Sequence, residues 1–179
     1  MKHKISKFNI QSFIAVISII AFGAVIRLLP HPPNFTPIAA TALFGGAYLN
    51  KKYAFIVPLV AMFASDIFLG FHATMPYVYG SFLLTGGIGL WLKNHKNAKS
   101  IIGATLLSSI LFFLITNFGV WATGMYARNL GGLWESYIMG IPFFKNTVFG
   151  DLCYTGLFFG SYELIKSVIA RDIKSQIKV

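Results

Sequence analysis

The sequence predicts an all-α protein, a polytopic membrane bundle of about six transmembrane helices with both termini in the cytoplasm. Three observations predict this fold class. Hydrophobic residues make up 56% of the 179-residue chain and charged residues only 11%, whereas a water-soluble domain usually carries about 25% charged residues. Apolar segments recur along the whole chain at lengths close to that of a membrane span. Lys and Arg concentrate in alternate connections between these segments.

Six apolar segments form the predicted spans of a single domain that covers residues 1–179. A helix needs about 20 mainly apolar residues to cross the hydrocarbon core of a bilayer. The predicted spans are residues 10–29, 36–48, 54–71, 76–92, 101–122 and 147–165. Segment 36–48 is short and rich in small residues, so a tilted or partly re-entrant helix is the alternative there. Residues 123–146 are predicted to form an outer loop or lid that includes a short interfacial helix.

The distribution of basic residues supports six spans and sets their orientation. With the N-terminus inside, 12 of the 15 Lys and Arg residues fall on the inner side: Lys2, Lys4, Lys7, Lys51, Lys52, Lys93, Lys96, Lys99, Lys166, Arg171, Lys174 and Lys178. Without segment 36–48 every later loop would change sides and this bias would disappear. The sequence therefore predicts a multi-pass protein of the cell inner (plasma) membrane. Nucleic acid is not an expected partner, because it requires a basic patch on a soluble face.

Small residues recur at four-residue spacing in several of the predicted helices. The pairs are Ala42 and Gly46, Ala104 and Ser108, and Gly156 and Gly160. Such pairs let helix backbones approach closely in a membrane. Packing within the bundle and docking to a partner protein are both open interpretations.

Polar residues gather in the outer half of the predicted spans. Ionisable groups at membrane depth cost at least about 2.5–3.5 kcal/mol, so they indicate either function or a structural pair. The predicted ligand-binding residues are Arg27, His31, Asn34, Asp66, His72, Tyr77, Tyr79, Asn117, Trp121, Asn146, Asp151 and Tyr154. One interpretation is a small-molecule pocket open to the outside. The other is a buried pair, Arg27–Asp66 or Arg27–Asp151, that holds helices together in a structural or assembly protein.

Catalytic and metal-binding motifs are missing from the sequence. It has no Gly-x-Ser-x-Gly, no His-Glu-x-x-His and no phosphate-cradling loop. Its His and Asp residues lack metal-ligand spacing, and Cys153 is the one cysteine. We therefore expect no enzyme activity, no metal and no resident cofactor. An integral membrane enzyme that acts on lipid is the remaining catalytic alternative, and it would need lateral access at the depth of Asp66.

Several stretches together resemble a family of small bacterial membrane proteins of unknown function. These proteins are related to the substrate-binding (S) components of energy-coupling-factor (ECF) vitamin transporters. The stretches are RLLPHPPNFTPIAA at residues 27–40, LFGG at 43–46, SDIFLGFH at 65–72, TNFGVW at 116–121 and GIPFFKNTVFGD at 140–151. The resemblance covers nearly the whole chain.

This resemblance implies a six-helix protein that binds a vitamin-like micronutrient near its outer face and takes part in uptake. It also implies docking to an ECF transmembrane coupling subunit, with ATP hydrolysis on separate ATPases. The Ala-x-x-x-Ala docking pattern of the first helix is not matched, because Ala15, Ala21 and Ala24 are spaced differently. The alternative is therefore that the protein acts alone or with a different partner.

Among S components, the chain is most similar to the solitary cobalamin transporters. These proteins use a cysteine near the outer loops as an axial cobalt ligand. The corresponding region after Asp66 has tyrosines and no cysteine, and Cys153 lies elsewhere in the chain. His31 or His72 could supply an imidazole ligand in its place, so cobalamin is one hypothesis for the ligand.

Overall fold

A computed structural model describes the backbone of residues 10–49 and 51–177, and the side chains of residues 14–49 and 51–171. This part of the chain forms six α-helices and no strand, which confirms the predicted all-α class. The helices are α1 (Ile10–Leu28), α2 (Ile38–Tyr48), α3 (Tyr53–Leu69), α4 (Met75–Leu92), α5 (Ala98–Ala122) and α6 (Leu130–Ile177). Lys2, Lys4, Lys7 and Lys178 lie outside the described residues, so the location of both chain ends stays a prediction.

The first five helices follow the predicted segments closely because local signals mark their ends. Gly70 ends α3 with φ of 93°, a conformation that glycine adopts without steric cost. Pro76 lies in the first turn of α4, where its missing N–H costs nothing. Asn97 caps α5, since its side chain accepts a hydrogen bond of 2.9 Å from the Ser100 N–H. Such a cap satisfies one of the free donors of the first turn.

The predicted outer loop is shorter than the sequence suggested, because residues 130–146 are helical and continuous with α6. Gly132 and Gly140 allow close approach here instead of forming turns. A Cβ atom on Gly132 would collide with the Ala127 carbonyl, and one on Gly140 would collide with the Asn117 side chain. Pro142 lies inside the helix. The connection between α5 and α6 is therefore limited to residues 123–129.

Helix α2 occupies the centre of the bundle and contacts all five other helices. Its residues 38–47 are all buried. Glycines let its backbone meet that of α4. A Cβ on Gly46 would overlap the backbone of Gly89, and a Cβ on Gly89 would lie 2.8 Å from the carbonyl oxygens of Ala42 and Leu43. The pair Ala42 and Gly46 thus packs within the bundle, whereas a Cβ on Gly156 or Gly160 would meet nothing within 4 Å.

We expect Gly89→Ala to destabilise the protein by about 1–3 kcal/mol, because the added methyl group has to push two backbones apart. Gly87→Ala on the same helix is the matched control, since a Cβ there meets nothing within 4 Å. In that helix interior alanine should be neutral or stabilising by about 0.5–1 kcal/mol. Thermal unfolding of the two purified variants measures the difference. Equal unfolding temperatures would show that α2 and α4 do not depend on this contact.

Helices α5 and α6 pack antiparallel against each other. Three contacts fix their register. Asn117 meets Gly140, Ser109 donates a 2.7 Å hydrogen bond to Asp151, and Thr105 donates one of 3.3 Å to Thr155. This register places the end of α5 beside the turn of α6 before Gly140 and its start near Glu163. The segment of α6 opposite α5 therefore begins earlier than the predicted span 147–165.

Basic residues gather at one end of the bundle. The Tyr48 hydroxyl donates a 2.9 Å hydrogen bond to Glu163, Lys96 Nζ lies 4.9 Å from the centre of the Tyr48 ring, and Lys166 lies 3.3 Å from Glu163. The end of α2 and the connection between α4 and α5 therefore meet α6 at Glu163. We call this region the basic end; its adjoining residues include Lys51, Lys52, Lys93, Lys96, Lys99, Lys166 and Arg171.

The surface carries many large apolar side chains, and the interior carries polar as well as apolar ones. Many large apolar side chains are exposed, among them Phe68 at 76% and Phe149 at 66%. Buried positions hold many polar groups, including Thr41, Ser65, Asp66, Ser81, Thr85, Thr105, Ser108, Ser109, Thr147, Asp151 and Thr155. Among the described helices, Ala98–Ala122 is long and apolar enough to cross a membrane, while Ile14–Leu28, Ile38–Tyr48 and Tyr53–Leu69 are apolar but shorter.

Candidate functional site

A cavity of about 620 Å³ lies at the end of the bundle opposite the basic end. Helices α1, α3, α4, α5 and α6 contribute to its wall, together with the connections α1–α2, α3–α4 and α5–α6. The lining residues are Arg27, Pro33, Asn34, Met62, His72, Thr74, Val78, Phe112, Phe113, Thr116, Asn117, Val120, Tyr126, Ser136, Met139, Gly140, Phe143, Phe144 and Thr147. Polar groups and aromatic rings thus line one space, which is the usual composition of a small-molecule site.

A buried ion pair lies beside the cavity, and its arginine forms part of the cavity wall. Arg27 Nη1 lies 2.8 Å from Asp66 Oδ1, with the Arg27 side chain 14% exposed and that of Asp66 only 1%. The Tyr79 hydroxyl donates a 2.7 Å hydrogen bond to the other carboxylate oxygen. Arg27 Nη1 also donates to the Ser65 hydroxyl and to the Met62 carbonyl. Of the two partners that the sequence left open for Arg27, the structure gives Asp66, and the network ties α1, α3 and α4 together.

Two connections place further polar groups at the rim of the cavity. Asn34 has φ of 64°, in the left-handed region that asparagine tolerates better than most residues. Its carbonyl accepts a 3.0 Å hydrogen bond from the Thr36 N–H, which fixes a tight turn before α2. His72 Nδ1 lies 2.8 Å from the Thr74 hydroxyl. Within α5, the Asn117 amide donates to the Phe113 carbonyl at 2.8 Å, and its side chain contacts Gly140.

Phenylalanines form the apolar part of the wall, and sequence reasoning missed them. Phe112 and Phe113 come from α5, and Phe143 and Phe144 come from α6. The ring centres of Phe113 and Phe144 are 4.8 Å apart. In the sequence, a Phe-Phe doublet that faces a cavity cannot be distinguished from one that faces lipid. A usable signal was the spacing of Phe113 and Asn117, which places both on the same face of a helix.

His31 lies beside a smaller space of about 130 Å³ that shares Arg27 and Asn34 with the main cavity. Its Nδ1 is 3.0 Å from the Pro32 carbonyl oxygen. Because a carbonyl only accepts, Nδ1 is the donor in this contact. Among the described atoms Nε2 is buried without a hydrogen-bond partner. A ligand or a water molecule is needed to satisfy it.

Eight predicted site residues are not part of the main cavity lining: His31, Asp66 and Tyr79, described above, and Tyr77, Trp121, Asn146, Asp151 and Tyr154. Tyr77 packs against Phe118 and Gly119, and Trp121 Nε1 donates to the Ala127 carbonyl at 3.1 Å. Tyr154 contacts Phe22 and Phe35. Asp151 is buried against Ser109, and Asn146 is half-buried on α6. The predicted residues that line the cavity are Arg27, Asn34, His72 and Asn117.

Within the described residues, no three His, Cys, Asp or Glu side chains are grouped so that they could hold a metal ion. Cys153 is exposed and has a free thiol. The chemistry available in the cavity is therefore one guanidinium, one imidazole, hydroxyl and amide groups, and aromatic surface. These groups can orient and contact a small organic molecule.

The fold and the cavity define a small all-helical protein in which a buried Arg–Asp pair stands beside a polar and aromatic cavity. Residues 7–173 match a family described as "Family of unknown function (DUF6580)". The chain belongs to that family. No curated protein and no solved structure matches the chain.

Proposed function

We propose that the six helices form a multi-pass bundle in the cell inner (plasma) membrane. The many exposed large apolar side chains support this proposal, since soluble monomers rarely expose large contiguous apolar patches. In a bilayer the exposed Phe, Leu and Ile side chains face lipid, and the buried Ser, Thr and Asp side chains bond within the bundle. At about 16 Å, the 11 residues of α2 are too short for a core of about 30 Å. The surrounding helices cover α2, so it does not need to match that thickness.

The proposed bundle is oriented with its basic end in the cytoplasm. Lys and Arg are retained on the cytoplasmic side of membrane proteins, and the described residues of the basic end carry most of the chain's described cations. The opposite end, with the cavity and the three connections around it, then faces outward. This orientation would let the cavity receive a molecule from outside the cell.

Within this frame we propose that the protein binds a vitamin-like micronutrient and acts as the substrate-binding component of an importer. The observation that carries the proposal is the cavity of about 620 Å³ with its polar and aromatic lining. Sites for drug-sized ligands measure about 300–1,000 Å³. The proposed partners are the ligand, the bilayer and, for energy, a transmembrane coupling subunit with ATPases. No enzyme activity is part of the proposal.

The volume and lining of the cavity favour a ligand smaller than a whole corrinoid. A drug-sized vitamin fills such a space, whereas cobalamin would have to extend well outside it. His72 lines the main cavity and His31 the smaller one. Cobalamin stays a hypothesis for the ligand, with an imidazole in the role of axial ligand.

A second candidate function has one specific observation in its favour. The Arg27–Asp66 pair is buried and shared with Tyr79, so it can serve to hold three helices together. A structural or assembly protein would need this pair and no ligand. The two candidates differ in whether any small molecule stabilises the fold.

A thermal-shift screen of the detergent-purified protein against vitamins and corrinoids tests the proposed function. A ligand at 100 times its Kd that binds only the folded state should stabilise it by about 2.7 kcal/mol. For a chain of this length we expect an unfolding temperature roughly 5–11 °C higher. A monodisperse protein that no compound stabilises would contradict ligand binding and favour the structural role.

A further inference from the structure

Arg27 uses only part of its hydrogen-bonding capacity within the protein. Its contacts to Asp66, Ser65 and Met62 are all made by Nη1. Within the described part of the chain, no protein atom accepts a hydrogen bond from Nε or Nη2. Nor do these two nitrogens occur among the buried polar atoms that lack a partner. The Nε–Nη2 edge is therefore accessible, and the spaces beside Arg27 are the two cavities that it lines.

The accessible edge has a specific chemical partner. Nε–H and Nη2–H point in parallel from one side of the planar guanidinium, and this fork matches the two oxygens of a carboxylate. We infer that the ligand of the main cavity carries a carboxylate that binds side-on to the Nε–Nη2 edge of Arg27. The inference deepens the proposed function and rests on it, since it names the chemical class of the same ligand.

The neighbouring groups suit a single negative charge. Asp66 lies on the Nη1 side of the guanidinium, where the Tyr79 hydroxyl also satisfies it. The described lining includes no Asp or Glu side chain, and Arg27 is its one permanently charged residue. A phosphate group, which carries more charge, would be expected to recruit further cationic donors. One guanidinium fork without a second Lys or Arg therefore favours a monocarboxylate.

The other lining residues indicate the chemistry of the part of the ligand that does not carry the carboxylate. Phe112, Phe113, Phe143 and Phe144 offer aromatic surface, and Asn117 and Thr116 offer polar groups along one side. A carboxylate at Arg27 would thus anchor a molecule with a compact apolar or heterocyclic part. Such an arrangement fixes orientation with few polar groups and gains contact area from the rings.

Matched acid and amide pairs test the inference by thermal shift and by titration of the detergent-purified full chain. The probes are nicotinate and nicotinamide, biotin and biotinamide, lipoate and lipoamide, and pantothenate with its alcohol panthenol. We expect at least one acid to stabilise the protein and its uncharged partner to bind at least tenfold more weakly. Arg27→Lys keeps a cation near Asp66 but loses the fork, and should weaken binding of that acid at least tenfold. Arg128→Lys, outside the cavity lining, should leave its binding unchanged.

The outcomes separate this inference from the proposed function. Equal binding of an acid and its uncharged partner would overturn the carboxylate assignment and leave the function standing. Stabilisation only by vitamins without a carboxylate (thiamine, riboflavin or pyridoxine) would do the same, as would stabilisation only by glycerol phosphate. If none of these compounds stabilises the protein, both the carboxylate assignment and the proposed function are overturned. If Arg27→Lys fails to fold, the comparison of acid with amide on the unaltered protein decides alone.

Discussion

Replacing Asp66 with Ala should destabilise the protein by about 3–5 kcal/mol, because it leaves the partly buried Arg27 cation without its carboxylate. Tyr79 loses its acceptor at the same time. For a chain of this size the loss corresponds to an unfolding temperature roughly 6–20 °C lower. Thermal unfolding in detergent measures it. An unchanged unfolding temperature would show that the pair does not hold α1 and α3 together.

The double variant Arg27→Met with Asp66→Leu is the matched control for this experiment. Replacing both members of a buried pair by apolar residues of similar size is often neutral or stabilising. We therefore expect the double variant to recover most of the lost stability. It should not recover ligand binding, because the guanidinium in the cavity wall is gone. Recovery of both stability and binding would show that Arg27 has only a structural role.

The ion pair also marks how far sequence reasoning reaches. The cost of charge at membrane depth indicated that Arg27 and Asp66 needed partners, but Asp151 was an equal candidate. The choice depends on which helices are neighbours. Asp66 lies on α3, which packs against α1, whereas Asp151 lies on α6 and faces Ser109 of α5. Hydrophobic patterns fix which segments are helical, and they do not specify which helices meet.

The helix that sequence reasoning described least well was α6. Gly131, Gly132, Gly140 and Pro142 are typical loop residues, so the sequence predicts an outer loop or lid with a short interfacial helix at residues 123–146. In the structure Gly132 and Gly140 lie where the Ala127 backbone and the Asn117 side chain come too close for a Cβ. A glycine that permits close packing and one that permits a turn are identical in the sequence. The aromatic wall at Phe143 and Phe144 was missed because both residues lie within this misread segment.

Filling the cavity should remove ligand binding without unfolding the protein. Thr116 lines the cavity on α5 and is half-buried, so Thr116→Trp places an indole in the space that a ligand would occupy. We expect the compound that stabilises the unaltered protein to bind at least 100-fold more weakly, a loss of about 2.7 kcal/mol. Titration of the purified variant with that compound measures the loss.

Ile110→Trp provides the control for the filled cavity. Ile110 lies on the same helix, is 44% exposed and does not line the cavity. In the proposed bundle an indole there faces lipid, so binding should match that of the unaltered protein. Undiminished binding by Thr116→Trp would place the ligand elsewhere and contradict the assignment of this cavity.

The arrangement of the bundle in the membrane is the central claim, and cysteine labelling tests it most directly. In a Cys153→Ser background, Met125→Cys places a thiol in the exposed connection beside the cavity, and Lys96→Cys places one at the basic end. A membrane-impermeant maleimide is added to right-side-out vesicles before and after they are opened. We predict that Met125→Cys reacts in sealed vesicles and that Lys96→Cys reacts only after opening. Reaction of both in sealed vesicles, or the reverse pattern, would contradict a membrane bundle whose cavity faces outward.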